Sequence, residues 1–185
     1  MREMKNSIRI FMILTASVVL ASCAPRARGI IREYDYLANQ TAMTQYDLAR
    51  KYLNVKDYDK AVIEFRRFLD LYGDHYYADD AQLEIAKICE SIGQYNEAAN
   101  SYLLLRRKYP ESDYASFSAF KAAENYEKLY RYETAVKCYF EGLEAYPYSE
   151  WAKRSADAIL SLADKVQNKK AAKKYRDRVG KIRGK

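Results

Sequence analysis

One histidine, three cysteines, six glycines and three prolines leave this 185-residue chain short of the residues from which most catalytic and metal centres are built. No Cys-x-x-Cys pair is present and His75 stands alone, so a zinc site lacks its usual ligand set. There is no glycine-rich loop to cradle phosphates, and no nucleophile with a positioned base. A metal, a cofactor, a small-molecule substrate and an enzymatic activity of the chain's own are therefore not expected. The longest apolar run, Ile10 to Leu20, has eleven residues, well short of the roughly 20 that a membrane-spanning helix needs.

What is present is a large stock of core-forming residues. Hydrophobic side chains make up 49% of the chain and 19 residues are tyrosine, enough to expect a folded body. The net charge of +7 invites a nucleic-acid reading, but its distribution removes it. Residues 1–22 carry +2 and residues 166–185 carry +8, which leaves −3 on the segment between. A mildly acidic body with basic ends offers no phosphate-neutralising face, so no nucleic-acid partner is expected.

The first 22 residues have the layout of a secretory signal: basic Arg2, Lys5 and Arg9, the short apolar run, then small residues. The run ends in Leu20-Ala21-Ser22-Cys23, which resembles the lipobox of bacterial lipoproteins. That resemblance implies cleavage before Cys23, lipidation of its thiol, and a mature protein held by acyl chains rather than by a membrane helix. Ala24, in place of an Asp, resembles the state that sorts such proteins to the outer membrane, giving a lipid-anchored location on the periplasmic face. Residues 23–40 show no sustained helical period and are expected to be a tether.

Shifted by 37 residues, the chain matches itself three times over: Ala49/Ala86/Ala123, Tyr58/Tyr95/Tyr132, Ala61/Ala98/Ala135, Tyr72/Tyr109/Tyr146 and Ala78/Ala115/Ala152. Phe65/Tyr102/Tyr139 form an aromatic column, and Gly73/Pro110/Pro147 a column of helix breakers. Such a period marks a solenoid of stacked units. Apolar spacing inside each unit is helical, as in Leu48, Tyr52 and Val55, followed after a polar turn by Val62, Phe65 and Leu69. Each unit is thus a helix hairpin, with helices expected at 41–54 and 58–71, 79–92 and 95–108, and 114–129 and 132–145. Ser112 and Ser149 are expected N-caps.

Leu48, Ala49, Tyr52, Ala61, Phe65 and Gly73 resemble the signature of tetratricopeptide repeats. The resemblance implies an all-α, right-handed solenoid of three hairpins over 41–148, in units of about 42–78, 79–115 and 116–152, with a capping helix at 149–167. Residues 168–185 are expected to be a basic tail, either a frayed helix or disordered. The junctions with Tyr-Pro-x-Ser at 109–112 and 146–149 are similar to two groups of envelope proteins. One is the BamD family of outer-membrane β-barrel assembly lipoproteins, favoured by the lipobox. The other is the Tol-Pal-associated cell-division coordinators, favoured by the repeat count.

The tetratricopeptide resemblance also implies a groove lined by the first helix of each hairpin. Its contacts would be Tyr46, Arg50 and Leu53, then Leu83, Lys87 and Glu90, then Phe117, Phe120, Glu124 and Glu127. The alternative is that some of these face neighbouring helices. Protein partners are expected, from barrel assembly or from division and wall synthesis, or a cell-wall enzyme that the lipoprotein activates. Ten tyrosines fall in repeating columns and are assigned to packing, whereas Tyr76 and Tyr77 in a junction are candidate contacts. Cys89 and Cys138, on different repeats, are assigned to packing rather than to a bridge, and His75 to a surface loop.

Overall fold

The computed structural model describes the backbone of residues 24–183 and the side chains of residues 35–181. The expected signal segment 1–22 and the expected lipidation site Cys23 therefore lie outside the described residues. Eight helices follow one another with no strand among the described residues: α1 Ala24–Asn54, α2 Tyr58–Tyr72, α3 Ala78–Ser91, α4 Tyr95–Lys108, α5 Ala115–Lys128, α6 Tyr132–Ala145, α7 Glu150–Leu162 and α8 Lys169–Arg183. None is long and apolar enough to cross a membrane. The chain divides into two units, Met1–Thr44 and Gln45–Lys185.

In the first unit the expected tether is helical, as α1 begins at Ala24. Pro25 is tolerated at the start of a helix, where its missing N–H is not needed, and no breaker follows that can stop the turn. Apolar periodicity is absent because residues 35–41 are all exposed, Tyr36 and Leu37 included. Local bonds stiffen this stretch instead: Gln40 Nε2 donates to the Tyr36 hydroxyl at 2.7 Å and Thr41 Oγ1 donates to the Leu37 carbonyl at 2.7 Å.

In the second unit the sequence columns become the core. Ala49, Ala86 and Ala123 are fully buried, as are Ala61, Ala98 and Ala135. Each small side chain lets two helices approach, and Phe65, Tyr102 and Tyr139, all buried, fill the space beside them. Between α5 and α6 the approach is close. A Cβ on Gly142 would stand 2.9 Å from the Cβ of Ala119, so the glycine is required there by contact rather than by backbone angle. In the earlier repeats the column of Ala119 holds Gln45 and Gln82, whose Nε2 atoms reach the facing helix at Glu64 Oε2 (2.7 Å) and the Ser101 carbonyl (3.2 Å).

The repeats are also stitched to one another. The Tyr109 hydroxyl donates to the Gly73 carbonyl at 3.0 Å, and one period later Tyr146 donates to the Pro110 carbonyl at 3.3 Å. Ser149 caps α7 by accepting from Ala152 N, as expected. Ser112 does not cap α5, whose N-cap is Tyr114. Its hydroxyl is drawn across the junction instead, donating to Asp79 Oδ2 at 2.6 Å, beside a bond of 3.0 Å from the Tyr114 hydroxyl to Asp80 Oδ1.

The C-terminus departs from the expected tail. Lys169–Arg183 is a helix that lays Ala172, Tyr175 and Val179 against the last hairpin, with Val179 fully buried and the Tyr175 ring 5.1 Å from Phe140. The cap α7 therefore has a partner. Arg176 pairs with Asp164 at 2.6 Å, and Arg178 pairs with Glu144 while lying over the Phe140 ring.

Candidate functional site

The ten groove positions separate into two classes. Tyr46, Leu83 and Phe120 are buried, and Phe117 is half-buried. Tyr46 stacks on Tyr77 at 4.7 Å and meets Phe65 and Phe68 edge-on, and Leu83 is buried. Phe117 and Phe120 meet Trp151 of α7 at 5.0 and 5.1 Å, which joins the third hairpin to its cap. Their spacing on the helix is right for a groove, but adjacent first helices stand close enough for large rings to be shared between them.

The charged and flanking members remain at the surface. Arg50 and Lys87 are exposed, Lys87 pairing with Glu84 at 2.9 Å, and Leu53 is half-buried. Glu90 anchors a charge lock: Lys121 and Lys128 of α5 reach its Oε1 at 2.8 and 2.7 Å, and the Tyr102 hydroxyl donates to its Oε2 at 2.9 Å. Lys121 also holds Glu124 at 2.7 Å. Burial works to raise the Glu90 carboxyl, but the hydrogen bonds from Lys121, Lys128 and Tyr102 outweigh it and hold the group below the usual carboxylate range. Burial and the nearby Glu90 carboxylate push the Tyr102 hydroxyl well above the usual tyrosine range, so it stays a donor.

One repeat later the lock is only half built. Tyr139 donates to Glu127 Oε2 at 3.3 Å, matching Tyr102 and Glu90. The position equivalent to Lys121 is Ala158, and the equivalent of Lys128, Lys165, lies over the Tyr132 ring at 5.1 Å without reaching a carboxylate. A cleft of about 570 Å³ opens there, lined by Tyr95, Glu124, Glu127, Lys128, Tyr130, Tyr132 and Lys165. A second cleft of about 300 Å³ shares Tyr130, Tyr132 and Lys165 and adds Arg131, Glu133, Thr134 and Gln167.

Tyr130 borders both, together with Tyr132 and Lys165. It is 78% exposed and stands 6.2 Å from Tyr132 in an edge-on arrangement. Its backbone is left-handed at φ 58°, as are Gly93 at 78° and Lys56 at 60°, each 37 residues apart at the turn inside a hairpin. That conformation suits glycine and costs another residue about 1 kcal/mol. Nothing in the residue pattern marks Tyr130 as a site, because its column, Lys56/Gly93/Tyr130, shares a backbone angle and no side-chain character.

The junction candidates resolve differently. Tyr77 is spent on Tyr46, while Tyr76 is 63% exposed. His75 is not on a free surface loop: its ring is half-buried, edge-on to Phe68 at 5.6 Å, and Nδ1 accepts from Tyr77 N at 3.2 Å. Burial lowers its pKa. Cys89 and Cys138 are unbridged and buried, and burial, assisted by Glu141, pushes the Cys138 thiol up to about 11. Among the described residues no three His, Cys, Asp or Glu side chains converge on a point that could hold a metal.

No protein-family model matches the chain, and no curated protein matches it in sequence. Solved structures do match. The N-terminal domain of stress-induced protein-1 from C. elegans superposes with a TM-score of 0.55 at 16% identity, covering 65% of this chain and 96% of that one. BtubC from P. vanneervenii superposes at 0.53 and 19% identity, covering 93% and 72%. The Arabidopsis OM64 TPR domain superposes at 0.51 and 14%, covering 70% and 99%. The fold is a tetratricopeptide-type solenoid. Identities this low speak for the fold alone.

Proposed function

We propose that the protein is a lipid-anchored scaffold on the periplasmic face of an outer membrane, acting by binding rather than by catalysis, and that it serves β-barrel assembly in the manner of BamD-type lipoproteins. The observation that carries this reading is Leu20-Ala21-Ser22-Cys23 preceding a solenoid with Tyr-Pro-x-Ser junctions. Acyl chains on Cys23 would hold the protein at the membrane and raise its effective concentration for membrane-bound partners. The first-helix residues Arg50 and Lys87, which are exposed, and Glu124 and Glu127, which are half-buried, would then select a segment of an assembly subunit or substrate by charge. A second reading, coordination of Tol-Pal with wall synthesis, is favoured by the repeat count. An activator of a cell-wall enzyme would use the same surface on a catalytic partner.

The test is affinity purification from gently solubilised membranes, run in parallel on the Cys23→Ala variant. A barrel-assembly subunit is expected in the eluate, and Cys23→Ala is expected to release a protein of unchanged helicity into the soluble fraction. Tol-Pal or wall-synthesis proteins in its place would establish the second reading. Membrane association that survives Cys23→Ala would overturn the lipid anchor.

A further inference from the structure

We propose that Tyr130 is the ridge of a peptide-docking site, over which an extended segment of a protein partner lays an acidic side chain into the smaller cleft and an aromatic side chain with a polar handle into the larger. The proposal deepens the scaffold reading and rests on it.

Three observations converge on this place. Tyr130 occupies the left-handed turn position that holds Gly93 one repeat earlier, yet its ring is 78% exposed and contributes little to the core. Lys56 holds the same backbone in the first repeat, so the turn alone marks no site; what sets Tyr130 apart is a large exposed ring at that turn, touching only Tyr132 among the rings described. It also borders two clefts in which Arg131, Lys165 and Glu127 have no ion-pair partner among the described residues, at the position where the equivalent of the Glu90 lock has Ala158 in place of its first lysine.

The charges decide the occupant. In the smaller cleft Arg131 is held by the Asn96 amide oxygen at 3.1 Å and by the Tyr126 ring, and Lys165 by the Tyr132 ring. Neither has a carboxylate within ion-pair distance among the described residues. The cleft's own carboxylate, Glu133, is already accepting from Asn168 N at 3.0 Å. Two cations against one engaged carboxylate call for an acidic side chain.

In the larger cleft Lys128 is neutralised by Glu90 and Glu124 by Lys121, and the walls are the rings of Tyr95, Tyr130 and Tyr132. Glu127, carrying only a hydroxyl bond at 3.3 Å, can accept another donor. A tryptophan or tyrosine suits that combination of rings and an open acceptor. Side chains two residues apart in an extended chain point the same way, so one strand can straddle Tyr130 and fill both clefts.

The test uses the full chain in detergent and fluorescein-labelled peptides read by anisotropy. The probe repeats Asp-Ser-Trp-Ser, and its controls replace Asp by Lys or Trp by Ala. Saturable binding of the probe is expected, with both controls weaker. Tyr130→Gly is expected to weaken the probe by about tenfold or more while leaving the melting temperature unchanged or higher, because glycine relieves the left-handed turn. Tyr130→Asn, which also tolerates that backbone, should behave alike, and Lys165→Gln should erase the preference for Asp over Lys.

Equal binding by wild type and both Tyr130 variants would overturn the site while leaving the scaffold reading to the co-purification result. Preference for the Lys peptide would overturn the charge assignment. No peptide binding, or binding of a chito-oligosaccharide in its place, would overturn the proposal outright.

Discussion

Glu90 shows how one carboxylate can hold two hairpins in register. It lies in the last turn of α3 and collects Tyr102 from its own hairpin and Lys121 and Lys128 from the next. Its pKa is depressed, so its contribution is present above the unfolded carboxylate value of about 4.3 and fades as pH falls through the lower folded value. Glu90→Gln is expected to cost about 1–2 kcal/mol at neutral pH, with the gap from wild type narrowing in urea melts run progressively below about pH 4. A gap that stays constant with pH would mean the lock is not electrostatic. The pairing is legible in the chain once the columns are set side by side: Leu53/Glu90/Glu127 changes in step with Phe65/Tyr102/Tyr139, so the hydroxyl arrives only where the carboxylate does. Tyr130 has no such companion column, and only the backbone angle reveals it.

At the scale of helices, burial followed the sequence wherever small or aromatic residues recur, and escaped it where contacts arise between unlike residues. The approach of α5 to α6 depends on Gly142 facing Ala119, a match unlike Phe68 or Leu105 in the same column. Gly142→Ala should destabilise the protein by about 1–3 kcal/mol by overpacking, even though alanine is the better helix former. Adding Ala119→Gly should restore much of the loss in a thermal melt, and a simple sum of the two costs would show that the helices do not meet there. The contacts of Phe117 and Phe120 escaped the sequence for a related reason: helical period gives the face of a helix, but not that Trp151 of the next element packs on it. The helix α8 was hidden by its lysines and arginines, which leave only Ala172, Tyr175 and Val179 to mark its buried side.

For the whole molecule, α8 extends the core past the expected cap. Removing residues 168–185 uncovers Phe140 and Val166 and takes away the partners of Asp164 and Glu144. The truncated chain should lose about 1–3 kcal/mol and melt earlier by circular dichroism; an unchanged transition would return α8 to the status of a tail. Most of the stitches between repeats share a direction as well, with Arg106 donating forward to Glu141 at 3.2 Å as the exception among the described residues. Tyr109 reaches back to Gly73, Tyr146 to Pro110, Ser112 to Asp79, Tyr114 to Asp80, Arg131 to Asn96 and Lys128 to Glu90, each later residue donating to an earlier acceptor. During synthesis, a hairpin leaving the ribosome therefore presents oxygen atoms whose hydrogens have yet to be translated, and every newly made repeat closes the one made before it.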